Sequence, residues 1–318
     1  MLRAYELQEG RLKPATAAED GVVWWDLLHP SRDEELALES RLGLGLPTIE
    51  DMQEIEVSSR LYSEDGGHFM TALVPSHTDG DDVVNGPITF ILADHRLITI
   101  RYTEPRAFTL FPQRAEKAAL GLSNGETTLL GLLEAVVDRL ADVLERAGRE
   151  LDAISRRVFD QNGAKSHQDA GFRATLVEIG RKGDLTSNIR ESLVTLERVL
   201  TYLVPRLNGG DATVRDQLQA LIADVGSLTD HADFLTQKIT FLLDATLGLI
   251  NIEQNGIIKI FSVAAVVFLP PTLVASLYGM NFEVMPELHW TYGYPLAIVL
   301  MILSAVVTYL FFKRRGWL

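Results

Sequence analysis

A stripe of small and polar side chains runs along the first of two apolar segments near the end of the sequence. Its members recur at alternating spacings of three and four residues and are Asn255, Ile258, Ser262, Ala265, Leu269, Thr272, Ser276 and Gly279. At 3.6 residues per turn, this spacing places them on one side of a helix. Such a stripe has two explanations, close packing against another helix or a water-filled path. Asn255 favours the water-filled path, because a carboxamide at the mouth of the stripe gains from contact with water.

Both apolar segments are long enough to cross a membrane. No side chain is charged from Ile260 to Leu277 or from Tyr294 to Phe312, and a spanning helix needs about 17 to 25 residues. We therefore expect transmembrane helices at 257–280 and 293–313, joined by an external loop at 281–292. Two helices cannot enclose a lumen, since a lumen needs several walls. A pore therefore requires a homo-oligomer.

The charges that flank the two segments predict their orientation. Lys259 precedes the first apolar segment, and Lys313 and a basic tail at 314–318 follow the second, whereas the loop between the segments contains Glu283 and Glu287 but no Lys or Arg. Positive charge marks the cytoplasmic side, so we expect both chain ends in the cytoplasm. The two glutamates either concentrate cations at an outer mouth or are ordinary solvated loop charges.

Residues 1–125 indicate a mixed α/β cytosolic domain. Four β-branched or aromatic runs predict strands, at Val22–Leu27, His68–Val74, Ile88–Ala93 and Leu97–Tyr102. Asp94 and His95 predict a hairpin turn between the last two. Ser31 and Glu34 form a capping-box pattern that opens a helix to about Leu42. The acidic stretch Asp79–Asp82 is typical of a solvated loop and lacks the ligand spacing of a calcium loop.

Residues 126–256 predict a helical stalk. Apolar residues recur at threes and fours in one long helix from about Glu126 and in a second from about Phe172 to Leu203, which Pro205 should end. A third helix begins near Thr213 and contains no proline before Pro270. If this helix continues to Met280, it is roughly 100 Å long. The alternative is a break at Gly226 or Gly248, since glycine costs about 1 kcal/mol in a helix.

Composition excludes several classes of function. The formal charge of −14 argues against a nucleic-acid partner, and the absence of cysteine excludes disulfides and thiolate metal sites. The sequence has no GxxxxGK loop, which argues against a nucleotide partner. The seven histidines show no paired spacing on one helix face, which argues against a zinc site. No secretory signal is indicated at the N-terminus.

Tyr278–Phe282, followed by Met285–Leu288, resembles the signature of the CorA magnesium channel family. Residues 251–254, 259–262 and 268–276 resemble the enterobacterial branch of that family. The resemblance covers the whole chain and is strongest from Asp244 onward. It implies an α/β cytosolic domain, long stalk helices and two C-terminal transmembrane helices, assembled as a funnel-shaped homopentamer in the bacterial inner membrane.

The same resemblance implies a role for each residue of the pathway. The selectivity filter would be Tyr278, Gly279, Met280 and Asn281, the ion would contact Thr272 and Asn255 deeper in, and Leu269 and Ile258 would be apolar constrictions. Ser262, Ala265 and Ser276 would complete the lining. Mg²⁺ keeps its waters, so neutral carboxamides that accept hydrogen bonds from those waters suit it better than a carboxylate cage.

The resemblance implies a transporter rather than an enzyme, with passive Mg²⁺ influx as its activity and Co²⁺ and Ni²⁺ as further cargo. Two charges crossing 100 mV are worth about 4.6 kcal/mol, so no fuel is required. Cytosolic Mg²⁺ would close the channel by filling acidic sites between subunits, with Asp224 as one regulatory ligand. Two alternatives stay open. One is a zinc transporter of the related ZntB branch, which usually lacks the Met285–Leu288 continuation. The other is a membrane-anchored adaptor whose spans only tether the stalk.

Overall fold

The computed structural model describes residues 1–16, 21–80, 83–159, 168–207, 212–281 and 285–317. Contacts divide the chain into two compact units, Met1–Leu243 and Asp244–Leu318. The first unit contains a β-sheet and most of the helices. The second contains the apolar C-terminal segments.

The first unit is built on a seven-stranded sheet. Its strands are β1 (Leu2–Gln8), β2 (Arg11–Ala15), β3 (Val22–Leu28), β4 (Leu61–Glu64), β5 (Gly67–Ser76), β6 (Val84–Ala93) and β7 (Arg96–Arg101). The order across the sheet is β2-β1-β3-β7-β6-β5-β4. Strands β3 and β7 pair in parallel, and the other pairs found among the described residues are antiparallel. The four strands predicted from the sequence are therefore confirmed.

Helices cover both faces of the sheet. Trp24 and Trp25 are adjacent in β3 and fully buried on opposite faces, as the period of two in a strand requires. Trp25 packs in a small core with α1 (Arg32–Leu42) and α2 (Ile49–Gln53), whereas Trp24 belongs to a larger core with α4 (Arg106–Lys117), α5 (Gly125–Phe159) and α6 (Gln168–Leu207). The four-residue α3 (Val57–Arg60) precedes β4.

Local chemistry sets the starts of two helices. The predicted capping box is confirmed, because Ser31 Oγ accepts the Glu34 N–H at 3.3 Å and Glu34 Oε2 accepts the Ser31 N–H at 3.0 Å. Asp94 and His95 form the β6–β7 turn with φ of 47° and 61°. The His95 carbonyl accepts the Gly125 N–H at 2.6 Å, which joins this turn to the beginning of α5.

The three predicted stalk helices are all present, with one correction to their bounds. Helix α6 does not end before Pro205 but continues to Leu207. Proline lies in its last turn, where only one helical hydrogen bond is lost. Helix α7 runs without a break from Ala212 to Tyr278, about 100 Å at 1.5 Å per residue. The predicted continuous helix is thus confirmed, and neither Gly226 nor Gly248 interrupts it.

Candidate functional site

Within the described residues, two helices are long and apolar enough to cross a membrane, α7 and α8 (Gly293–Arg314). Helix α8 covers the predicted second span, and a 3-10 helix at Pro286–His289 precedes it. Almost none of either apolar window is buried within the chain. These side chains therefore need lipid or further protein around them.

One side of α7 in the second unit is less exposed than the rest. From Lys259 to Tyr278, Val263 is buried and the partly covered residues are Lys259, Val267, Pro270, Pro271, Val274 and Tyr278; all of these except Pro271 recur at threes and fours. The Lys259 Nζ donates to the Gly316 carbonyl at 3.1 Å, so this side faces the segment that follows α8.

The predicted pore stripe lies on another side of the same helix. Every residue from Asn255 to Ser276 that the sequence assigned to the stripe is exposed. With about 100° of rotation per residue, the centre of this stripe is roughly 150° from the centre of the partly covered side. Packing within the chain therefore does not account for the small and polar residues.

Thr272 presents oxygen to the exposed stripe. Its hydroxyl donates to the helix's own carbonyls, with Oγ1 at 2.9 Å from the Phe268 oxygen and 2.8 Å from the Leu269 oxygen. The proton of the hydroxyl is therefore engaged, and its lone pairs remain free to accept. The group can act as a hydrogen-bond acceptor for water that surrounds a cation.

The predicted filter segment lies at the C-terminal end of α7. The Gly279 N–H bonds to the Ala275 carbonyl at 2.9 Å, and the Met280 N–H bonds to the Leu277 carbonyl at 3.4 Å. A Cβ on Gly279 would lie 3.1 Å from the Ala275 oxygen, so a side chain there would crowd the turn. Asn281 follows, exposed. The end of a helix carries about half a negative charge, which favours a cation beside the Asn281 amide.

Comparison with known proteins identifies the family. The family model described as "CorA-like Mg2+ transporter protein" matches residues 19–314. The chain belongs to the CorA-like Mg²⁺ transporter family. It is 40% identical to the magnesium transport proteins CorA of Escherichia coli (strain K12) and Salmonella typhimurium (strain LT2), over the full length of each.

The fold agrees with this assignment. The complete structure of the CorA magnesium transporter from Methanocaldococcus jannaschii matches with a TM-score of 0.82 at 19% identity, covering 100% of this chain and 99% of that one. The predicted CorA fold, with its α/β domain, long stalk helix and two apolar C-terminal helices, is confirmed. The predictions of a membrane transporter and of no enzymatic role are confirmed as well.

Of the acidic residues predicted to act on the ion, the structure describes the side chain of Asp224 alone. Asp224 is exposed on the part of α7 that belongs to the first unit. Glu283 lies outside the described residues, as does the side chain of Glu287. Within the described part of the chain, no group of three or more His, Cys, Asp or Glu residues could hold a metal ion.

Asp79 has a structural environment that sequence reasoning missed. It was assigned to a solvated loop with Asp81 and Asp82, which lie outside the described residues. Asp79 does lie in a loop, with its side chain 56% exposed, and it also pairs with Arg106, Arg139 and Arg146. Hydrogen bonding from Arg139 and the charges around it hold the pKa of Asp79 below its usual range. No sequence signal links these residues, because they come from a loop and two helices.

Proposed function

We propose that this chain forms a homopentameric channel for passive Mg²⁺ influx across the bacterial inner membrane, with both termini in the cytoplasm. The observation that carries the proposal is the exposed stripe of α7, which begins at Asn255 and leads to the amide of Asn281. It lies away from the side of α7 that faces the segment after α8. Copies of the chain arranged around an axis would turn these stripes toward one lumen. The 40% identity to two magnesium transport proteins supports magnesium as the cargo.

In this proposal, the ion enters with its water shell. The Asn281 amides form the outer ring, and Thr272 and Asn255 accept hydrogen bonds from the same waters deeper in. Neutral oxygens suit this task, because Mg²⁺ dehydrates reluctantly and a hydrated ion needs acceptors rather than direct ligands. Leu269 and Ile258, both 62% exposed, supply apolar constrictions that close by dewetting.

The membrane potential drives the flux, and cytosolic Mg²⁺ ends it. An inward potential of 100 mV supplies about 4.6 kcal/mol for a divalent ion, so Co²⁺ and Ni²⁺ of similar charge would pass by the same route. Glu283 and Glu287 attract cations to the outer mouth. Asp224 contributes to a regulatory site between subunits, and filling of that site closes the pore.

Zinc is the alternative cargo. Zn²⁺ favours nitrogen and sulfur ligands, whereas the polar groups of the described stripe are amides and hydroxyls, which favours Mg²⁺. The adaptor alternative predicts no flux at all.

Uptake into liposomes tests these assignments. The wild-type chain should take up Mg²⁺ under an inside-negative potential, and cobalt hexaammine, which mimics the hydrated ion, should block the uptake. Asn281→Ala should abolish uptake while the solubilised oligomer keeps its mass. The matched variant Asn281→Gln retains the amide and should keep part of the flux. Normal flux through Asn281→Ala would refute the filter assignment, and proton-coupled zinc uptake would support the ZntB alternative.

A further inference from the structure

The cations of the second unit gather at one end of its two apolar helices. They form a basic cluster consisting of Lys259, Lys313, Arg314 and Arg315. Gly316, with a φ of +69°, turns the chain after α8, and its carbonyl accepts the Lys259 ammonium at 3.1 Å. The basic tail is therefore folded back toward Lys259, at the start of the apolar part of α7.

Aromatic rings hold this cluster at the edge of the apolar segment. The Lys259 ammonium lies 5.9 Å from the centroid of the Trp317 ring, and the Arg315 guanidinium lies 5.6 Å from that of Phe311. The Lys313 ammonium is 6.0 Å from the Tyr309 ring. Cations over aromatic faces are attracted to them, and such rings are typical of the membrane–water boundary. The charged groups are thus positioned where lipid headgroups lie.

The positive charge of the cluster is not neutralised by the described part of the chain. Lys313, Arg314 and Arg315 are exposed, and none of the four cations pairs with a carboxylate among the described residues. Orientation by positive charge explains why cations occur here. It does not explain why the tail folds back and brings Lys259 beside the end of α8.

We propose that the basic cluster binds the headgroup of an anionic phospholipid in the cytoplasmic leaflet. Ammonium and guanidinium groups donate to the phosphate oxygens, and basic pockets between membrane helices favour such headgroups. Trp317, 49% exposed, and the exposed apolar side chains of α8 contact the glycerol and acyl regions. These contacts select a lipid over free phosphate, which has no apolar part. Lys259 belongs to the partly covered side of α7, so the lipid lies away from the proposed ion stripe.

Native mass spectrometry tests the proposal by measuring how tightly lipids bind to the full-length, detergent-solubilised oligomer in the absence of Mg²⁺. Wild type should bind phosphatidylglycerol at least about tenfold more tightly than phosphatidylcholine, given the attraction of each cation and partial screening by salt. The triple variant Lys259→Gln, Lys313→Gln and Arg315→Gln should lose this preference. The matched control removes three exposed cations of the first unit, with Lys13→Gln, Arg114→Gln and Lys117→Gln, and should keep it.

Three results would overturn the lipid assignment. They are equal affinity of wild type for the two lipids, an undiminished preference in the triple variant, and displacement of phosphatidylglycerol by inorganic phosphate. If the triple variant does not fold, Arg315→Gln alone should reduce the preference about threefold to fivefold, and no reduction there counts equally against the site. Replacing Lys259 and Lys313 by arginine should preserve the preference, because the charge is retained. Failure of Mg²⁺ transport would leave these results unchanged.

Discussion

Thr272 offers a direct test of the ion stripe, because α8 provides a matched threonine. The Thr272 hydroxyl donates to its own helix at 2.9 and 2.8 Å, and the Thr308 hydroxyl donates to the Ser304 carbonyl at 2.8 Å. Both threonines belong to apolar helices, and valine can replace either of them with little change in side-chain shape. They differ in that Thr272 lies on the exposed stripe that leads to Asn281.

The expected loss follows from the hydrogen bonds that Thr272 can accept. With its proton engaged, the hydroxyl contributes one acceptor per subunit to the waters of a passing ion. A hydrogen bond of this kind contributes about 1 kcal/mol net, which is roughly a fivefold effect. If two subunits contact the hydrated ion at once, Thr272→Val should lower Mg²⁺ flux by roughly 25-fold. Valine cannot accept a hydrogen bond, so the waters around the ion would contact a methyl group instead of an oxygen.

Flux into liposomes, normalised to the amount of inserted oligomer, measures this effect. Thr308→Val should transport at the wild-type rate, and Thr272→Ser should retain most of the flux because it retains the oxygen. Equal flux through Thr272→Val and Thr308→Val would refute the placement of Thr272 in the pathway. Equal loss in Thr272→Val and Thr272→Ser would show that packing of the β-methyl group, rather than the acceptor, matters.

Two further predictions concern regulation and stability. Asp224→Lys should raise the internal Mg²⁺ concentration needed for closure, measured as flux against luminal Mg²⁺, and unchanged inhibition would remove Asp224 from the regulatory site. Gly125→Ala would place a Cβ 2.4 Å from the Arg96 carbonyl carbon, so it should destabilise the chain by about 3 kcal/mol and lower its melting midpoint. The control Gly148→Ala, on the same helix, meets only Leu235 at 3.6 Å and should be neutral or stabilising; similar midpoints for the two variants would contradict the argument.

The sequence predicted elements that bury many residues at a regular period. Helices α5 and α6 follow from apolar spacing, α7 follows from the absence of proline between Thr213 and Pro270, and the central strands follow from β-branched runs. The strands β1, β2 and β4 were missed. β2 and β4 lie at the edges of the sheet, and Leu12 is the only buried residue of β2, so their patterns carry little signal. Pro205 misled because a proline removes one helical hydrogen bond without necessarily ending the helix, and α7 likewise continues through Pro270 and Pro271.

The sequence did not predict contacts between residues that are far apart in the chain. Asp26 and Arg101 form a buried ion pair, with Arg101 Nε at 2.9 Å and Nη2 at 2.8 Å from the carboxylate oxygens. This pair depends on the parallel pairing of β3 with β7, which no local pattern specifies. For the candidate site, the sequence predicted the stripe but left packing and a water-filled path open. The less exposed side of α7 lies elsewhere on the helix, so packing within one chain does not account for the stripe.

The length of α7 limits how the proposed regulation at Asp224 can reach the proposed filter. The part of the helix from Asp224 to Tyr278 is about 80 Å long at 1.5 Å per residue, whereas charges in physiological salt are screened beyond about 8 Å. The dipole of a helix also acts only within its last turn. Under the proposed regulation, a cation bound at Asp224 would not change the potential at Asn281, and closure would be transmitted by movement of the helix itself. Asp224→Lys should accordingly shift the Mg²⁺ dependence of closure while the block by cobalt hexaammine stays unchanged. If cobalt hexaammine blocks that variant at a different concentration, the charge at position 224 affects the outer end of α7 directly, and the argument is wrong.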